Sequence, residues 1–265
     1  MCTLVILHRV VPGLPVVLAA NRDEYLARPA TGPMLLDAER GIIGGRDLSA
    51  GGTWLGLTPG GFFAGVTNQR QGARRDAPGS RGQVVLDVLR AGAEGGVDAA
   101  RRWLGALDVG RYNPFNLAFG DADGVWVAYG RHDLRVEAVP AGVHVLPNDV
   151  LDSAVFPKVA RIQGRLAAPP GAWPALVARL EAVLADDTPP AQVPDEPDAG
   201  LPRAALAALH AVKVVLPGYG TRSATIAALA PGRVAHYLHA DGAPGDAPFV
   251  DRAALVAAAR GDDAV

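Results

Sequence analysis

Short apolar runs rich in β-branched residues alternate with turn residues in three parts of the chain. At the start, "CTLVILHRV" and "LPVVLAAN" are separated by "VPG", which predicts the two strands of a hairpin. "GTWLGLTPGGFFAGVTN" has the same pattern, with "TPGG" as its turn. The pattern predicts further strands at "FNLAFGD", "GVWVAYGR", "LRVEAV", "GVHVLPN", "TRSATIAALA" and "RVAHYLHA".

Apolar residues at helical spacing lie between these groups of strands. One pair of helices is predicted over "SRGQVVLDVLRAGAEGG" and "VDAARRWLGAL", and a second pair over "PKVARIQGRLA" and "AWPALVARLEAVLAD". The tail "DRAALVAAARGDDAV" has the composition of a terminal helix. Strands that cluster between helix pairs favour a layered α+β architecture with largely antiparallel sheets.

The sequence contains no solenoid-type repeat and no linker that divides it, so residues 1–265 are predicted to form a single domain. The acidic, proline-rich stretch 187–200 is predicted to be an exposed loop of this domain. The oligomeric state does not follow from the sequence: the charges are mixed and no heptad seam is present, so a monomer and a dimer are both compatible with it.

Composition and charge argue against several classes of function. The net charge of −2 argues against a nucleic-acid partner, which needs a concentrated basic surface. A single cysteine leaves no internal disulfide, CxxC redox pair or cysteine-rich zinc site. His236 and His239 of "HYLH" would face opposite sides of a strand, so no metal site is predicted. The chain has neither a membrane-length apolar run nor a basic signal-peptide n-region, and a cytoplasmic location is expected.

The lone cysteine, Cys2, directly follows the initiator methionine. If Met1 is removed, the thiol and a free α-amine share one residue. An α-amine has a pKa near 7.7–8, so one residue can then supply both a nucleophile and a general base. The alternative is that Cys2 is only a small apolar residue of the first strand, and its position alone favours that alternative.

Four polar residues, Asn21 to Glu24, follow an apolar run at the end of the second predicted strand. In a hairpin, this strand end lies beside Cys2. Arg22 there would lower the pKa of the thiol, and a carboxylate would orient the amine. Side chains alternate along a strand, so Arg22 and Asp23 face opposite sides unless the strand ends or bulges. Asp23 and Glu24 therefore both remain candidates for the carboxylate.

Seven motifs in this order resemble the NRDE-motif family, which is named after the transport and Golgi organisation protein. They are "MCTL", "VLAANRDEY", "GGRDLSAGGTWLG", "GVTNQR", "SRG", "LPNDVLDSAVFPKV" and "YGTRSAT". The resemblance extends from Met1 to about His239 and omits the proline-rich loop and an additional C-terminal segment, 247–265. It implies an N-terminal-nucleophile hydrolase fold, which is a four-layer αββα sandwich.

The resemblance also implies a catalytic site. Cysteine members of this superfamily are similar to bile-salt hydrolases and penicillin V acylases, which cleave non-peptide amides. The catalytic set implied is Cys2, Arg22, Asp23, Asn68, Asn148 and Arg222. Cys2 would be the nucleophile and its α-amine the base, while Asn68 or Asn148 would donate to the oxyanion. Those acylases carry Arg-Asn-x-Asp after the second strand, whereas this chain reads Asn-Arg-Asp-Glu.

The glycine-rich motif "GGRDLSAGGTWLG" has two interpretations. It lacks the G-x-G-x-x-G and Walker patterns, which favours a tight loop that enters a strand with Trp54 in the core. Arg46 and Asp47 are candidates for the pocket rim. The substrate-binding set predicted is Asn21, Glu24, Trp54, Arg46 and Asp47.

Two hypotheses of different classes follow. The first is a cysteine hydrolase that requires no cofactor and cleaves a linear amide, or with less support a thioester, of a small or lipid-like molecule. The second is a non-catalytic protein of the same fold that binds and transports haem or acyl lipids, with non-covalent haem as its cofactor. A fold does not determine a function, so the site has to decide between them.

Overall fold

The computed structural model describes residues 2–69, 79–194 and 200–261. Its strands, in chain order, are β1 (Cys2–Val11), β2 (Leu14–Tyr25), β3 (Ala30–Asp37), β4 (Ile42–Asp47), β5 (Leu55–Leu57), β6 (Phe63–Asn68), β7 (Phe115–Asp121), β8 (Gly124–Gly130), β9 (Leu134–Ala138), β10 (Gly142–Leu146), β11 (Val215–Leu216), β12 (Tyr219–Ala230), β13 (Arg233–Ala240) and β14 (Val250–Asp251). Its helices are α1 (Arg81–Gly105), α2 (Pro157–Arg165), α3 (Trp173–Leu184), α4 (Arg203–Leu209) and α5 (Ala253–Arg260), with a 3-10 turn at Val109–Arg111.

The described strands form two seven-stranded antiparallel sheets. The first sheet has the order β10-β1-β2-β12-β13-β14, with β11 paired to β12. The second sheet runs in chain order from β3 to β9. The strands from both ends of the chain therefore share the first sheet, with β2 and β12 at its centre and β1 between β10 and β2.

Alternate residues of β1 enter two different apolar cores. Leu4 and Ile6 pack between the two sheets, whereas Val5 and Leu7 pack against α2 and α3 on the outer face of the first sheet. A third cluster joins α1 to the outer face of the second sheet. Because both faces of β1 are covered, the strand is apolar at nearly every position. The predicted α+β class and the four-layer αββα sandwich are confirmed.

Sequence patterning missed four of the described strands, namely the two-residue β11 and β14 and the longer β3 and β4. β3 is an edge strand that contains Pro33. Proline has no backbone N–H to donate to a neighbouring strand, and it is tolerated at the edge of a sheet. β4 contains Gly44 and Gly45, residues that weaken a strand prediction. The stretch expected to be a glycine-rich loop is thus a strand as far as Asp47, followed by the loop.

The two helices predicted over 80–107 form one element that is interrupted in its middle. Gly95 and Gly96 in α1 leave helical geometry, and Gly96 has a φ of 61°. Glycine adopts this left-handed conformation without the Cβ clash that other residues incur. The chain can therefore turn between two helical halves that pack on the same sheet.

The histidines of "HYLH" face opposite sides of β13, as the strand prediction requires. The His236 ring stacks on Trp173 with centroids 4.2 Å apart, and buried His239 places Nδ1 3.0 Å from the Thr225 hydroxyl. Within the described ranges, no three His, Cys, Asp or Glu side chains are grouped so that they could hold a metal ion.

The C-terminal third contains the predicted loop and terminal helix. Residues 187–194 form neither helix nor strand, and 195–199 lie outside the described residues. The tail helix is α5, whose Val256 packs between the sheets, and 262–265 are also outside the described residues. None of the described helices has the length and hydropathy to cross a membrane.

Candidate active site

Cys2 is the first residue of β1 and lies between two neighbouring strands. Its register partner on β2 is Arg22. On the other side, β10 pairs Leu146 with Leu4, and the chain continues to Asn148 two residues later. The predicted adjacency of Cys2 and the "NRDE" strand end is confirmed by this register. Met1 lies outside the described residues.

Arg22 is 5% exposed and lies over an aromatic ring. Its guanidinium carbon is 4.3 Å from the centroid of Trp54, which precedes β5 in the second sheet. A cation over an indole face is attracted by the ring quadrupole. Trp54 is therefore partly a core residue, as the loop interpretation expected, and also the platform for the arginine beside Cys2.

The platform depends on a glycine in β4. A Cβ added to Gly45 would lie 2.1 Å from Cη2 of Trp54, closer than any van der Waals contact. The ring of Trp54 therefore occupies the space that any other side chain at position 45 would need. The second glycine of "GGRD" serves this close approach, while a Cβ at Gly44 would instead lie 2.7 Å from the backbone oxygen of Leu55.

Replacing Gly45 with alanine is expected to displace Trp54 and remove the support of Arg22. Overpacking of this kind costs about 1–3 kcal/mol of unfolding free energy, measured by urea denaturation. Gly164→Ala is the matched control, since Gly164 lies in α2 with open space around its Cα. Equal stability of Gly45→Ala and wild type would contradict the platform interpretation.

Asp23 lies on the opposite face of β2 from Arg22 because β2 stays extended as far as Tyr25. Its side chain is 1% exposed and accepts a 2.6 Å hydrogen bond from the Thr221 hydroxyl. That hydroxyl accepts from the Val214 N–H, so its proton is directed to Asp23. Burial raises the pKa of Asp23, and the charge of Lys158 opposes this effect.

The other acidic residues belong to a more exposed group at the rim. Glu24 lies 3.7 Å from Arg28 and accepts from the Tyr25 N–H. Arg28 also contacts Asp47 at 2.8 Å, and despite burial this contact holds the pKa of Asp47 below its usual range. Arg46 is exposed, and its backbone N–H donates to Thr31. Arg28 is a rim residue that the sequence did not indicate.

Asn148 is fully buried and connects the two sheets. Its Nδ2 donates to the backbone carbonyl of Asn68, at the end of β6, over 2.8 Å. One hydrogen of Nδ2 remains available, and Oδ1 has no hydrogen-bond partner among the described residues. Asn68 itself is half-buried. The structure thus brings both predicted asparagines together.

Buried Asn116 fixes the loop that carries Asn148. Its Nδ2 donates to the carbonyl of Asp149 over 2.7 Å and to the Thr67 hydroxyl over 3.0 Å, while Oδ1 accepts from Gln69. The Thr67 hydroxyl donates to the carbonyl of Pro147. Nothing in the motif order identified this residue, because Asn116 stands alone in the apolar strand "FNLAFGD".

Arg222 lies at a bulge of β12, between the pairs Thr221 with Asp23 and Ser223 with Arg22. Its guanidinium donates to the carbonyl of Leu26 and repels that of Arg22. Ser223 is 5% exposed, and its hydroxyl has no partner within the described part of the chain. Ser223 is a second polar residue beside Arg22 that the sequence did not single out.

Asn21 lies on the helix-facing side of β2. Its Nδ2 donates to the carbonyls of Leu184 and Val212 at 2.9 and 3.0 Å. Leu184 is the last residue of α3, so Asn21 satisfies a carbonyl that the helix end leaves without an intrahelical partner. The structure thereby places Asn21 in a structural contact on the side of the sheet away from Arg22.

Cys2 as a residue is partly buried, and burial raises the pKa of its thiol. The charge of Asp23 raises it further, whereas Arg22 and the backbone N–H of Asp23 lower it. Arg22 therefore acts in the direction expected from the sequence, but burial outweighs it. Because the thiolate is the nucleophilic form, this thiol needs a base to take its proton.

A cavity of about 660 Å³ lies at the opposite end of the sandwich. It is lined by the turns after β3 and β5, by Gly92, Ala93 and Gly96 of α1 and by the end of α5. None of the predicted site residues lines it. The polar cluster around Cys2 is therefore separate from this cavity.

The profile of the Transport and Golgi organisation 2 family matches residues 1–238 of the chain. The chain belongs to this family. Two members are homologues of Transport and Golgi organization protein 2 from Bos taurus and Homo sapiens, which are 31% and 29% identical to the chain. Each alignment covers 79% of this chain and 80% of the relative. The predicted resemblance to the NRDE-motif family is confirmed.

Two solved structures share the fold of this Transport and Golgi organisation 2 family member. A mutant of the conjugated bile acid hydrolase from Clostridium perfringens has a TM-score of 0.52 and 12% identity, over 96% of this chain and 93% of that one. The Caenorhabditis elegans N-acylethanolamine-hydrolyzing acid amidase ortholog has a TM-score of 0.53 and 12% identity, over 87% and 93%. At this identity the likeness concerns the fold alone, and it confirms the predicted N-terminal-nucleophile hydrolase fold.

Proposed function

We propose that the chain is a cysteine N-terminal-nucleophile hydrolase that cleaves a non-peptide linear amide after removal of Met1. The observation that carries the proposal is the position of Cys2, at the start of a central strand with Arg22 as its register partner. The names of the two fold relatives, an amidase and a conjugated bile acid hydrolase, agree with amide cleavage.

The base in this proposal is the α-amine of Cys2. The thiol is raised in pKa and holds its proton at neutral pH, so attack on a carbonyl requires proton transfer to a neighbouring group. The free amine titrates near 7.7–8 and belongs to the same residue as the sulfur. After the thiolate adds to the carbonyl, the ammonium donates this proton to the leaving amine, and water later hydrolyses the thioester.

Asn148 is the proposed oxyanion donor. Its Nδ2 donates one hydrogen to the carbonyl of Asn68, and its second hydrogen is available to a developing oxyanion. Asp23 rather than Glu24 is the proposed carboxylate for the ammonium, because Asp23 is buried while Glu24 is engaged with Arg28 and the Tyr25 N–H. Burial thus supports Asp23 over Glu24, the two candidates that the sequence left open.

The proposed substrate has an apolar portion. Large apolar side chains are exposed along the edge where β2 ends, including Tyr25, Leu26 and Leu48, which are 62%, 49% and 56% exposed. Exposed apolar residues grouped beside a polar site favour the binding of an acyl chain. An amide with a fatty or similar acyl group would fit both the rim and the nucleophile.

Intact mass and alkylation of Cys2 test this proposal. Loss of Met1 is expected, and iodoacetamide is expected to label the processed chain at pH 7 faster than a chain with one residue added before Cys2. A panel of N-acyl p-nitroanilides of increasing chain length should release p-nitroaniline. Retention of Met1, or equal labelling of both chains, would refute the nucleophile. Saturable haem or acyl-lipid binding without turnover would favour the transport alternative.

A further inference from the structure

Lys158, in the first turn of α2, is one of the largest fully buried side chains of the described residues, at 1% exposure. Burying an ammonium group is costly unless hydrogen bonds and opposite charge compensate for it. A lysine in an amphipathic helix usually extends into water instead. The position of Lys158 therefore requires a physical explanation beyond the packing of α2.

The ammonium of Lys158 lies directly behind the nucleophile strand. Its Nζ donates to the hydroxyl of Thr3 over 3.1 Å, and Thr3 is the residue next to Cys2. Thr3, Asn21 and Asp23 share this face of the two strands, since Thr3 pairs with Asn21. The charge of Lys158 and the hydrogen bond from Thr221 both lower the pKa of Asp23, against the effect of burial.

The other lysine of the chain has a different environment. Lys213 is 8% exposed, and its ammonium lies 3.6 Å from Asp187 and 3.7 Å from Asp246. Both of those carboxylates are largely exposed, so the ion pairs of Lys213 are ordinary surface ion pairs. Lys158 instead directs its charge into the interior, towards a buried carboxylate.

We propose that Lys158 is a positioning residue that keeps Asp23 ionised, so that Asp23 can hold the α-ammonium of Cys2 beside the thiol. This inference rests on the proposed function, because it assigns Asp23 the role of orienting that amine. Lys158 itself forms no covalent bond and transfers no proton. It acts through the field that it imposes on Asp23 and through its hydrogen bond to Thr3.

The sign of the effect follows from the groups that face Asp23. Glu24 on its own strand opposes its ionisation. The Cys2 thiol on β1 and Tyr219 on β12 also interact with the carboxylate. Lys158 on α2 favours ionisation, so its removal raises the pKa of Asp23 further. The pH at which the Asp23 carboxylate is half protonated therefore moves upward when Lys158 is removed.

The test compares Lys158→Gln with Lys158→Arg and with Lys213→Gln as the matched control. The carboxyl carbon of Asp23 is titrated by ¹³C NMR in aspartate-labelled protein, and its signal is assigned by its loss in Asp23→Asn. The pH dependence of acylation is followed as the burst of nitrophenol from p-nitrophenyl acetate. Lys158→Gln is expected to raise the midpoint pH of the Asp23 titration by about one pH unit or more. Lys158→Arg and Lys213→Gln should retain the wild-type values.

An unchanged Asp23 titration in Lys158→Gln would overturn the inference and leave Lys158 as an anchor of α2. If that variant does not fold, Thr3→Val removes the hydroxyl contact, and a shift of the same sign but smaller size is expected. No shift in Thr3→Val would then overturn the inference. Failure of the proposed function has a different signature, since wild type would give no burst whatever the NMR titration shows.

Discussion

Replacement of Cys2 with alanine is expected to abolish turnover of N-acyl p-nitroanilides by the processed chain. The nucleophile and its base act together, so removing the nucleophile lowers kcat by a factor on the order of 10⁴ or more. The residual rate would come from Asn148 and substrate binding alone. Release of p-nitroaniline, followed at neutral pH, measures this loss.

The same variant provides an internal control for labelling and folding. Cys2 is the single cysteine, so iodoacetamide should not label the variant at all. Cys2 is only partly buried, and the unfolding free energy should change by less than about 1 kcal/mol. Turnover that survives the substitution would assign the hydrolysis to another group and remove the central argument of the proposal.

Replacement of Asn116 with leucine is expected to cause the largest loss of stability. The substitution removes donors to the carbonyl of Asp149 and the Thr67 hydroxyl, and it leaves the side chain of Gln69 without its acceptor. Buried polar groups that lose their partners cost about 1–3 kcal/mol each, so a total of about 2–4 kcal/mol is expected. Urea denaturation at neutral pH measures this change.

Asn116→Leu should also slow acylation of Cys2 at temperatures where the variant stays folded. The loop at 147–149 loses its anchor, and a displacement of about 1 Å in a positioned group can cost 10²-fold. Thr225→Val is a suitable control, because it removes a buried hydroxyl contact to His239 away from this loop. If both variants acylate at the wild-type rate, the oxyanion role of Asn148 is wrong.

The sequence could predict those elements in which the spacing of apolar and polar residues matches the geometry of a strand or a helix. The hairpin of β1 and β2 is short, β-branched and tightly turned, and its register alone places Cys2 opposite Arg22. The alternation of side chains along β2 also separates Asp23 from Arg22, as expected. The same alternation places Asn21 with Asp23, on the helix-facing side.

The parts that the sequence could not predict depend on contacts between distant segments. Gly45 disrupts a strand pattern because Trp54 needs its space, and that need exists only once the second sheet has formed. Lys158 resembles any polar residue of an amphipathic helix until α2 is packed on the first sheet. Asn116 acquires its role from a loop about 30 residues further along the chain.

The hydrogen bond between Asp23 and Thr221 joins residues 198 positions apart in the chain. At the usual rate of about 5–20 residues per second, a ribosome needs roughly 10–40 s to synthesise the intervening segment. Lys158 and Asn148 also emerge long after Cys2. The thiol therefore spends the early life of the nascent chain without the buried Lys158, the proposed oxyanion donor Asn148 and the hydroxyl of Thr221 that bonds Asp23. In the proposed function, the site around Cys2 is complete only when β12 joins the first sheet.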